Sequence, residues 1–258
     1  MEKTKSRHDS HVRNWPDLPR DVMLMILMKL WAVELDYIVA RVCRMWREVA
    51  RDPILFQSIN FEGIENYITD KLEFRLFAKR TVDKSGGQLV HLSFNTSFYL
   101  DDVFDYLVVS NSLKQLKSLK LGPKSFICGD KIAVQFYKNV PSLEELDLDT
   151  TYFSIPKVRR SCHKLKNLRY VTYVHHCIWY SFNYEVDNIV QSMPLLCSLT
   201  LRKCYVTNEG LQRLLDGCPN LEYLDLRHCS VDKVTEIMRN TCVEKIKNCW
   251  FPDNICCN

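Results

Sequence analysis

An internal repeat constrains the fold of this 258-residue sequence more than any other feature. Six segments share one leucine pattern, and successive copies begin 27, 27, 25, 28 and 25 residues apart. All 24 positions of the shared four-position template are apolar, whereas 47% of the whole chain is hydrophobic. A regular period of this length is typical of repeat architectures, in which neighbouring units bury each other's apolar faces. The six copies begin at Leu89, Leu116, Leu143, Leu168, Leu196 and Leu221, and a weaker copy begins at Val243.

Within each copy, apolar and polar residues alternate, which predicts a β-strand with one buried face and one face in water. Only three of the eighteen residues that alternate with the core positions are apolar. The segments between the strands have helical character, most clearly at 207–219. There Thr207 is a candidate N-cap, an apolar face follows, and Pro219 ends the turn. The sequence therefore predicts one strand and one helix in each repeat.

The fifth and sixth copies match the leucine-rich repeat pattern L-x-x-L-x-L-x-x-N/C-x-L, with Cys204 and Cys229 at the N/C position. These copies resemble the cysteine-containing class of leucine-rich repeats. The resemblance implies an α/β solenoid of about six βα repeats, with a parallel sheet on its concave face. It also implies that Cys204 and Cys229 are buried in the repeat turns and are not nucleophiles.

Residues 15–56 carry a second pattern, that of three short helices. Pro19 suits the first turn of a helix, and apolar residues recur at helical spacing from Val22 onward. A break at 31–34 separates the first helix from the other two. So small a trio cannot bury all of its large apolar side chains. Two interpretations follow: the trio is a helical cap for the solenoid, or it carries a docking surface.

The order and spacing of these residues favour docking, because they closely resemble the F-box. The shared pattern is Leu-Pro, a Leu/Ile-rich helix, a Val-Cys-Arg-x-Trp segment and Asp-Pro. The resemblance implies that the trio binds the Skp-family adaptor of an SCF-type ubiquitin ligase. Position by position, the interface or its immediate support consists of Leu18, Pro19, Ile26, Leu30, Leu35, Val42, Cys43 and Trp46. Leu18 and Pro19 are the strongest candidates, and Trp46 fits the internal core of the trio equally well.

An F-box followed by repeats resembles the plant F-box/leucine-rich-repeat proteins over nearly the whole chain. The resemblance implies a substrate receptor that catalyses nothing itself and reaches a cullin and a RING subunit through the adaptor. An unidentified protein substrate would contact the outward strand residues, whose mixed charges indicate no single charge preference. These candidates are Lys120, Glu145, Asp147, Asp149, Tyr170, Arg202, Tyr223, Asp225 and Arg227. The alternative is a leucine-rich-repeat interaction scaffold with a helical cap, acting outside a ubiquitin ligase.

The junction between trio and repeats contains a predicted short strand and a predicted helix over 70–85. Leu72, Leu76 and Phe77 would share one face of that helix, and Gly86-Gly87 would end it. Because the junction lacks the composition of a flexible linker, we expect it to be packed and to start the solenoid. The predicted segments are a disordered tail (1–13), the F-box (14–56), the junction (57–88), the repeats (89–250) and a C-terminal tail (251–258).

Composition and missing motifs argue against several function classes. The net charge of +4 is spread evenly, without the basic cluster that a nucleic-acid partner requires. The longest apolar run, 22–28, is too short to span a membrane, and no secretory signal is apparent. Without a secretory signal, we expect the twelve cysteines to be reduced thiols. They include no C-x-x-C pair, so we expect no metal site, and we expect no cofactor. Phosphate-loop, dinucleotide-binding and zinc-protease motifs are missing, so we expect no enzyme activity. We expect the protein to reside in the nucleus, the cytoplasm or both.

Overall fold

The computed structural model describes residues 18–127, 130–149, 162–171, 182–231 and 234–252. The predicted N-terminal tail and all but two residues of the predicted C-terminal tail lie outside these ranges. The helices are α1 (Arg20–Leu27), α2 (Ala32–Tyr37), α3 (Arg44–Val49), α4 (Lys71–Lys84), α5 (Asp101–Val109), α6 (Asp130–Lys138), α7 (Asn183–Ser192), α8 (Asn208–Gly217) and α9 (Glu236–Lys245). Short 3-10 turns occupy Val39–Arg41, Pro53–Phe56 and Ile64–Asn66.

The strands form one parallel sheet in which each strand pairs with the next along the chain. The first and last strands lie at opposite edges, so the sheet is open. This arrangement of strands and helices confirms the predicted α/β solenoid. The strands are β1 (Ser58–Asn60), β2 (His91–Phe94), β3 (Ser118–Leu121), β4 (Glu145–Leu148), β5 (Asn167–Val171), β6 (Ser198–Tyr205), β7 (Tyr223–Ser230) and β8 (Asn248–Trp250).

A ladder of leucines holds the sheet against its helices. The strand register places one buried leucine beside the next, and each fully buried leucine side chain contributes roughly 1.5–3 kcal/mol. The ladder consists of Leu92, Leu119, Leu146, Leu168, Leu199 and Leu224. Between two strands, Thr207 caps α8 as predicted, because its Oγ1 accepts a hydrogen bond from the Gly210 N–H at 3.1 Å. The expected burial of Cys204 and Cys229 is also confirmed.

The described sheet has eight strands, two more than the six clear copies of the repeat. One extra strand is β1 from the junction, whose Ile59 pairs with Leu92 and continues the ladder. The other is β8, whose Cys249 pairs with Leu224. The junction was expected to contain a short strand and to start the solenoid, and this strand joins the sheet. The segment was not counted as a copy of the repeat, because Phe56, Ile59 and Phe61 have the apolar spacing of the template without its leucines.

Two copies of the repeat begin three residues later or earlier than the sequence predicted. Leu168 pairs with Leu146, so the fourth copy begins at the buried Leu165. In the last copy, the core position equivalent to Leu221 is Ile246, whereas the predicted start Val243 is 59% exposed on α9. The spacing of three within L-x-x-L lets either apolar residue be taken as the first, which explains both errors.

The corrected register reverses the side of the sheet on which Tyr170 lies. Tyr170 pairs with Leu148 and is only 7% exposed, so it belongs to the core and its prediction as a substrate contact was wrong. Its neighbour Arg169 takes the outward position beside Asp147.

The junction helix α4 forms as predicted, but it buries a different face. The Asp70 carboxylate accepts a hydrogen bond from the Glu73 N–H at 2.8 Å and caps its start. Gly86 and Gly87 follow its end with positive φ angles of 56° and 77°, a conformation that favours glycine. The buried side chains include Phe74, Phe77 and Val82, whereas Leu72 and Leu76 are exposed, because the aromatic residues occupy the face turned to the sheet.

Aromatic side chains join the N-terminal helices to the solenoid in one continuous core. Phe61 stacks on Phe94 of β2 with ring centroids 5.0 Å apart and meets Phe77 of α4 edge-on at 6.1 Å. Tyr37 of α2 also contacts Phe77 edge-on at 5.9 Å. The helical module is therefore fixed relative to the sheet rather than tethered by a flexible segment.

The corrected register predicts losses of stability of different size for two adjacent substitutions. Tyr170→Ala removes a core aromatic ring and is expected to lower the free energy of unfolding by about 3 kcal/mol. Arg169→Ala removes a partly exposed ion pair and is expected to cost about 1 kcal/mol or less. Urea denaturation followed by circular dichroism measures both. A larger loss for Arg169→Ala than for Tyr170→Ala would contradict the register.

Candidate functional site

The N-terminal helical module (residues 18–56) exposes a concentration of large apolar side chains. Val22, Met25 and Ile26 share one face of α1, at the i, i+3 and i+4 positions. In the described part of the chain, eight of the seventeen exposed large apolar residues lie between residues 22 and 54. The eight are Val22, Met25, Ile26, Met28, Trp31, Ile38, Val42 and Ile54. We call this set, which is defined by exposure within the module, the apolar face of the module, and its best-defined part is the stripe of Val22, Met25 and Ile26 on α1.

The predicted adaptor residues at the start of α1 lie at the surface of the module. Pro19 is exposed, and its carbonyl accepts the first helical hydrogen bond, from the Met23 N–H at 3.0 Å. Leu18 and Leu30 are half-buried and pack against the core. Leu35 is fully buried, so it supports the module from inside and cannot itself contact a partner.

The Val-Cys-Arg-x-Trp segment begins α3. Val42 is exposed, whereas the Cys43 sulfur accepts a hydrogen bond from the Trp46 N–H at 3.5 Å and so caps the helix. Trp46 is half-buried and packs against the core, so one side of its ring supports the module and the rest is accessible. The motif thus combines a helix cap, a packing aromatic and an exposed aliphatic residue.

Polar contacts fix the helices of the module relative to each other. Arg20 at the start of α1 forms an ion pair with Asp52 at 2.6 Å, across 32 residues of sequence. Asp52 also accepts a hydrogen bond from the Ile54 N–H at 3.2 Å. At the start of α2, the Glu34 carboxylate accepts from the Trp31 N–H at 2.7 Å, which stabilises the loop after Leu30.

The second predicted surface is the face of the sheet turned away from the helices, which we call the open face. Lys120 on β3 and Glu145 on β4 are exposed there, as predicted. Arg169 on β5 bridges the Asp147 carboxylate of β4, at 2.6 Å, and the Asp149 carboxylate just after β4, at 3.2 Å. Its guanidinium offsets one of the two negative charges, so this group at the centre of the open face keeps one net negative charge.

At the C-terminal end of the open face, an ion pair of one acidic and one basic residue lies beside two aromatic rings. The Asp225 carboxylate is buried under Arg227, whose Nη2 lies 2.7 Å from it. Tyr223 contacts Trp250 of β8 with ring centroids 4.7 Å apart, and the Arg227 guanidinium lies 5.7 Å from the Trp250 ring centroid. Arg202 on β6 is half-buried beside this group. The sequence prediction missed Trp250, because the last copy of the repeat was placed in the wrong register.

Hydrogen bonding and charge lower the pKa of Asp225. The Arg227 guanidinium donates to its carboxylate and outweighs the opposing effect of burial, and the Arg227 N–H donates at 3.1 Å. Among the thiols, burial raises the pKa of Cys162 to about 12 and that of Cys218 to about 11, so neither is a thiolate near neutral pH.

Within the described ranges, no three His, Cys, Asp or Glu side chains converge in a way that could hold a metal ion. Among the helices of that same part of the chain, none combines the length and apolar character needed to cross a membrane.

Two family models match this chain. The model described as F-box-like matches residues 15–62, which include the helical module and β1. The model described as the LRR repeats of FBD-associated F-box protein At5g56370 matches residues 141–249, which include β4 to β7 and most of β8. The first match falls on the N-terminal helical module and the second on the C-terminal part of the solenoid.

Curated relatives from Arabidopsis thaliana match almost the whole chain. Putative F-box/LRR-repeat protein 23 is 32% identical over 95% of this chain, which spans only 55% of the length of that relative. Putative F-box/LRR-repeat protein 22 is 31% identical, and the alignment covers 94% of this chain and 78% of the relative. F-box protein SKIP19 is 29% identical, with 93% and 78% covered.

Among solved structures, the chain is similar to one in the crystal structure of the Rad7 and Elc1 complex in yeast. The identity is 16%, the TM-score is 0.47, and the alignment covers 90% of this chain and 68% of that one.

The Asp225–Arg227 pair predicts a pH-dependent contribution to stability. Because the folded-state pKa of Asp225 is lowered below 3.8, its contribution is present above about pH 4 and disappears as the pH falls through the lowered value. We expect Asp225→Asn to reduce the free energy of unfolding by about 1 kcal/mol at pH 7. The difference from the parent chain should shrink between pH 5 and pH 3 in urea titrations. If the difference in free energy of unfolding stays constant over that range, the charge of the Asp225 carboxylate does not stabilise the fold.

Proposed function

Because this chain belongs to the plant family of F-box/LRR-repeat proteins, we propose that it is a substrate receptor of an SCF-type ubiquitin ligase. In this proposal the helical module binds a Skp-family adaptor, which connects it to a cullin and a RING subunit. The solenoid binds a protein substrate and presents it for ubiquitination. The chain contributes binding and position, and the transfer chemistry belongs to the partner subunits.

The observation that supports adaptor binding most strongly is the apolar face of the helical module. Isolated exposed apolar residues are ordinary on a soluble protein, but a set concentrated on one small module marks an interaction surface. Three of its residues form an i, i+3, i+4 stripe on α1, which suits packing against helices of a partner. Ile26 and Val42 are both predicted adaptor contacts and both members of this face.

The firm attachment of the module to the solenoid supports the receptor role. A substrate bound on the solenoid would be held at a nearly fixed distance from a partner bound on the module, because Phe61, Phe77 and Tyr37 join the two parts. A fixed geometry raises the effective concentration of the substrate at the ligase, which is the contribution a non-catalytic receptor can make.

The same packing also suits the alternative function, a scaffold whose helical module merely caps the solenoid. A cap needs its inner face, which carries Leu35 and Phe56, but it gains nothing from exposed apolar side chains. The two functions therefore differ in what the outer face of the module does, and substitutions on that face separate them.

We expect the double variant Ile26→Asp/Val42→Asp to lose adaptor binding while remaining folded. The two side chains are 44% and 56% exposed, so charging them costs little folding energy but places two carboxylates in an apolar interface. Binding to a purified Skp-family adaptor is measured by isothermal titration calorimetry, and a drop of at least 100-fold in affinity is expected for the loss of two interface residues.

The matched control is Ile237→Asp/Val243→Asp, which charges two exposed residues of the same types on α9, 80% and 59% exposed. Its adaptor affinity should equal that of the parent chain. Absence of adaptor binding by the parent chain would reject the ligase function. If Ile26→Asp/Val42→Asp loses thermal stability but keeps its adaptor affinity, the exposed face serves only to cap the solenoid.

A further inference from the structure

A groove lies on the solenoid at the N-terminal ends of β5 to β8, away from the open face. Its volume is about 480 Å³, which is within the range of binding clefts. Lysines stand around it, one glutamate stands among them, and its floor is apolar. The residues that define this lysine groove are Lys166, Lys245, Lys247, Glu222, Leu195 and Leu221.

The strand ladder sets the spacing of the lysine groove. Lys166, Cys197, Glu222 and Lys247 occupy equivalent positions just before successive strands, joined by hydrogen bonds from 197 N–H to 166 O, from 222 N–H to 197 O, and from 248 N–H to 222 O. Three steps of about 4.8 Å separate Lys166 from Lys247 by about 14 Å. An extended peptide spans that distance with four or five residues. The short Cys197 side chain leaves room between the two lysines.

The lysines of the groove are available to a ligand at low cost. Lys166 pairs with Glu144 at 2.8 Å and Lys247 with Glu222 at 2.7 Å, and all four side chains are at least one-third exposed. Ion pairs this exposed contribute little, so an incoming carboxylate can replace the glutamate without a large penalty. Lys245, at the end of α9, forms no ion pair with any described residue.

The floor of the groove adds an apolar contact. Leu195 is 45% exposed in the loop between α7 and β6, and it lies beside Leu221 and Pro219. Exposed leucine framed by lysines fits a segment in which an apolar side chain is flanked by carboxylates.

We propose that the lysine groove binds an acidic segment of a protein partner, four or five residues long, that carries one large apolar side chain. In naming this segment as the part of a substrate that the receptor recognises, the inference rests on the proposed function. The lysines attract the flanking carboxylates, and Leu195 and Leu221 receive the apolar side chain.

A nucleic acid fits this groove less well than a peptide. Glu144 and Glu222 alternate with the lysines along the ladder and would repel a continuous phosphate backbone. The apolar floor offers an aliphatic surface where a strand of nucleic acid would require aromatic rings for base stacking.

Fluorescence polarisation with three labelled peptides tests the proposal. The first has the core Asp-Glu-Phe-Asp-Glu, the second replaces the acids by their amides, and the third replaces Phe by Ser. The full chain should bind the first with micromolar affinity and the other two at least fivefold more weakly, and raising the salt from 50 to 300 mM should weaken the first. Equal binding of all three, or tighter lysine-dependent binding of single-stranded RNA or anionic vesicles, would overturn the proposal.

Matched substitutions locate the binding. Lys245→Gln/Lys247→Gln should weaken binding of the acidic peptide about tenfold. Lys131→Gln/Lys138→Gln on α6 removes two exposed lysines elsewhere and should leave the peptide affinity unchanged. Leu195→Ser should weaken binding of the acidic peptide. Leu72→Ser, at a 55% exposed leucine of α4, should not weaken it. Equal effects of a variant and its control would reject this site.

One variant should bind more tightly than the parent chain. Glu222→Gln releases Lys247 and removes a repulsive carboxylate, so we expect a two- to fivefold gain in affinity for the acidic peptide. A loss of affinity instead of a gain would contradict the proposed role of the Glu222 charge. Ile26→Asp/Val42→Asp should bind the peptide normally, so a failed groove and a failed adaptor interface give different results.

Discussion

The structure depends on the stacking of parallel strands through one leucine per repeat. A single strand and helix cannot bury this leucine, and it becomes buried only when the next strand pairs in register. Leu92, Leu119 and Leu146 show the principle, since each lies directly beside its equivalent on the neighbouring strand. Every other feature follows from this ladder, because it determines which side chains face the helices, which face outward on the sheet, and which gather at the edge where the strands begin.

The helical module extends the ladder rather than sitting beside it. The 3-10 turn at Pro53–Phe56 leads directly into β1, and Phe61 then stacks on Phe94 in the first full repeat. Because the inner face of the module is used in this way, its outer face is free to remain apolar. The division of one small module into a packing face and an exposed face suits the proposed adaptor binding, and it makes the exposed face informative about function.

The sequence predicted those parts of the fold for which local pattern and tertiary packing agree. The cap at Thr207, the strand alternation and the order of the F-box residues each depend on residues close in sequence. The errors arose where two readings satisfy the same local pattern. Leu165 and Leu168 both fit the first position of L-x-x-L, and only pairing with Leu146 decides between them. Likewise, α4 offers a leucine stripe and an aromatic stripe, and the choice depends on the sheet beneath it.

The register error also concealed how the open face handles charge. The carboxylates of Glu145 and Asp147 on β4, and of Asp149 just after it, suggest an acidic surface when this segment is considered alone. Once Arg169 takes its outward position, two of them are paired, and Asp225 is likewise paired with Arg227. Net charge is therefore a poor guide to what the open face recognises. The aromatic pair Tyr223 and Trp250 distinguishes its C-terminal end, whereas the N-terminal ends of the last strands combine three exposed lysines, Lys166, Lys245 and Lys247, with apolar side chains.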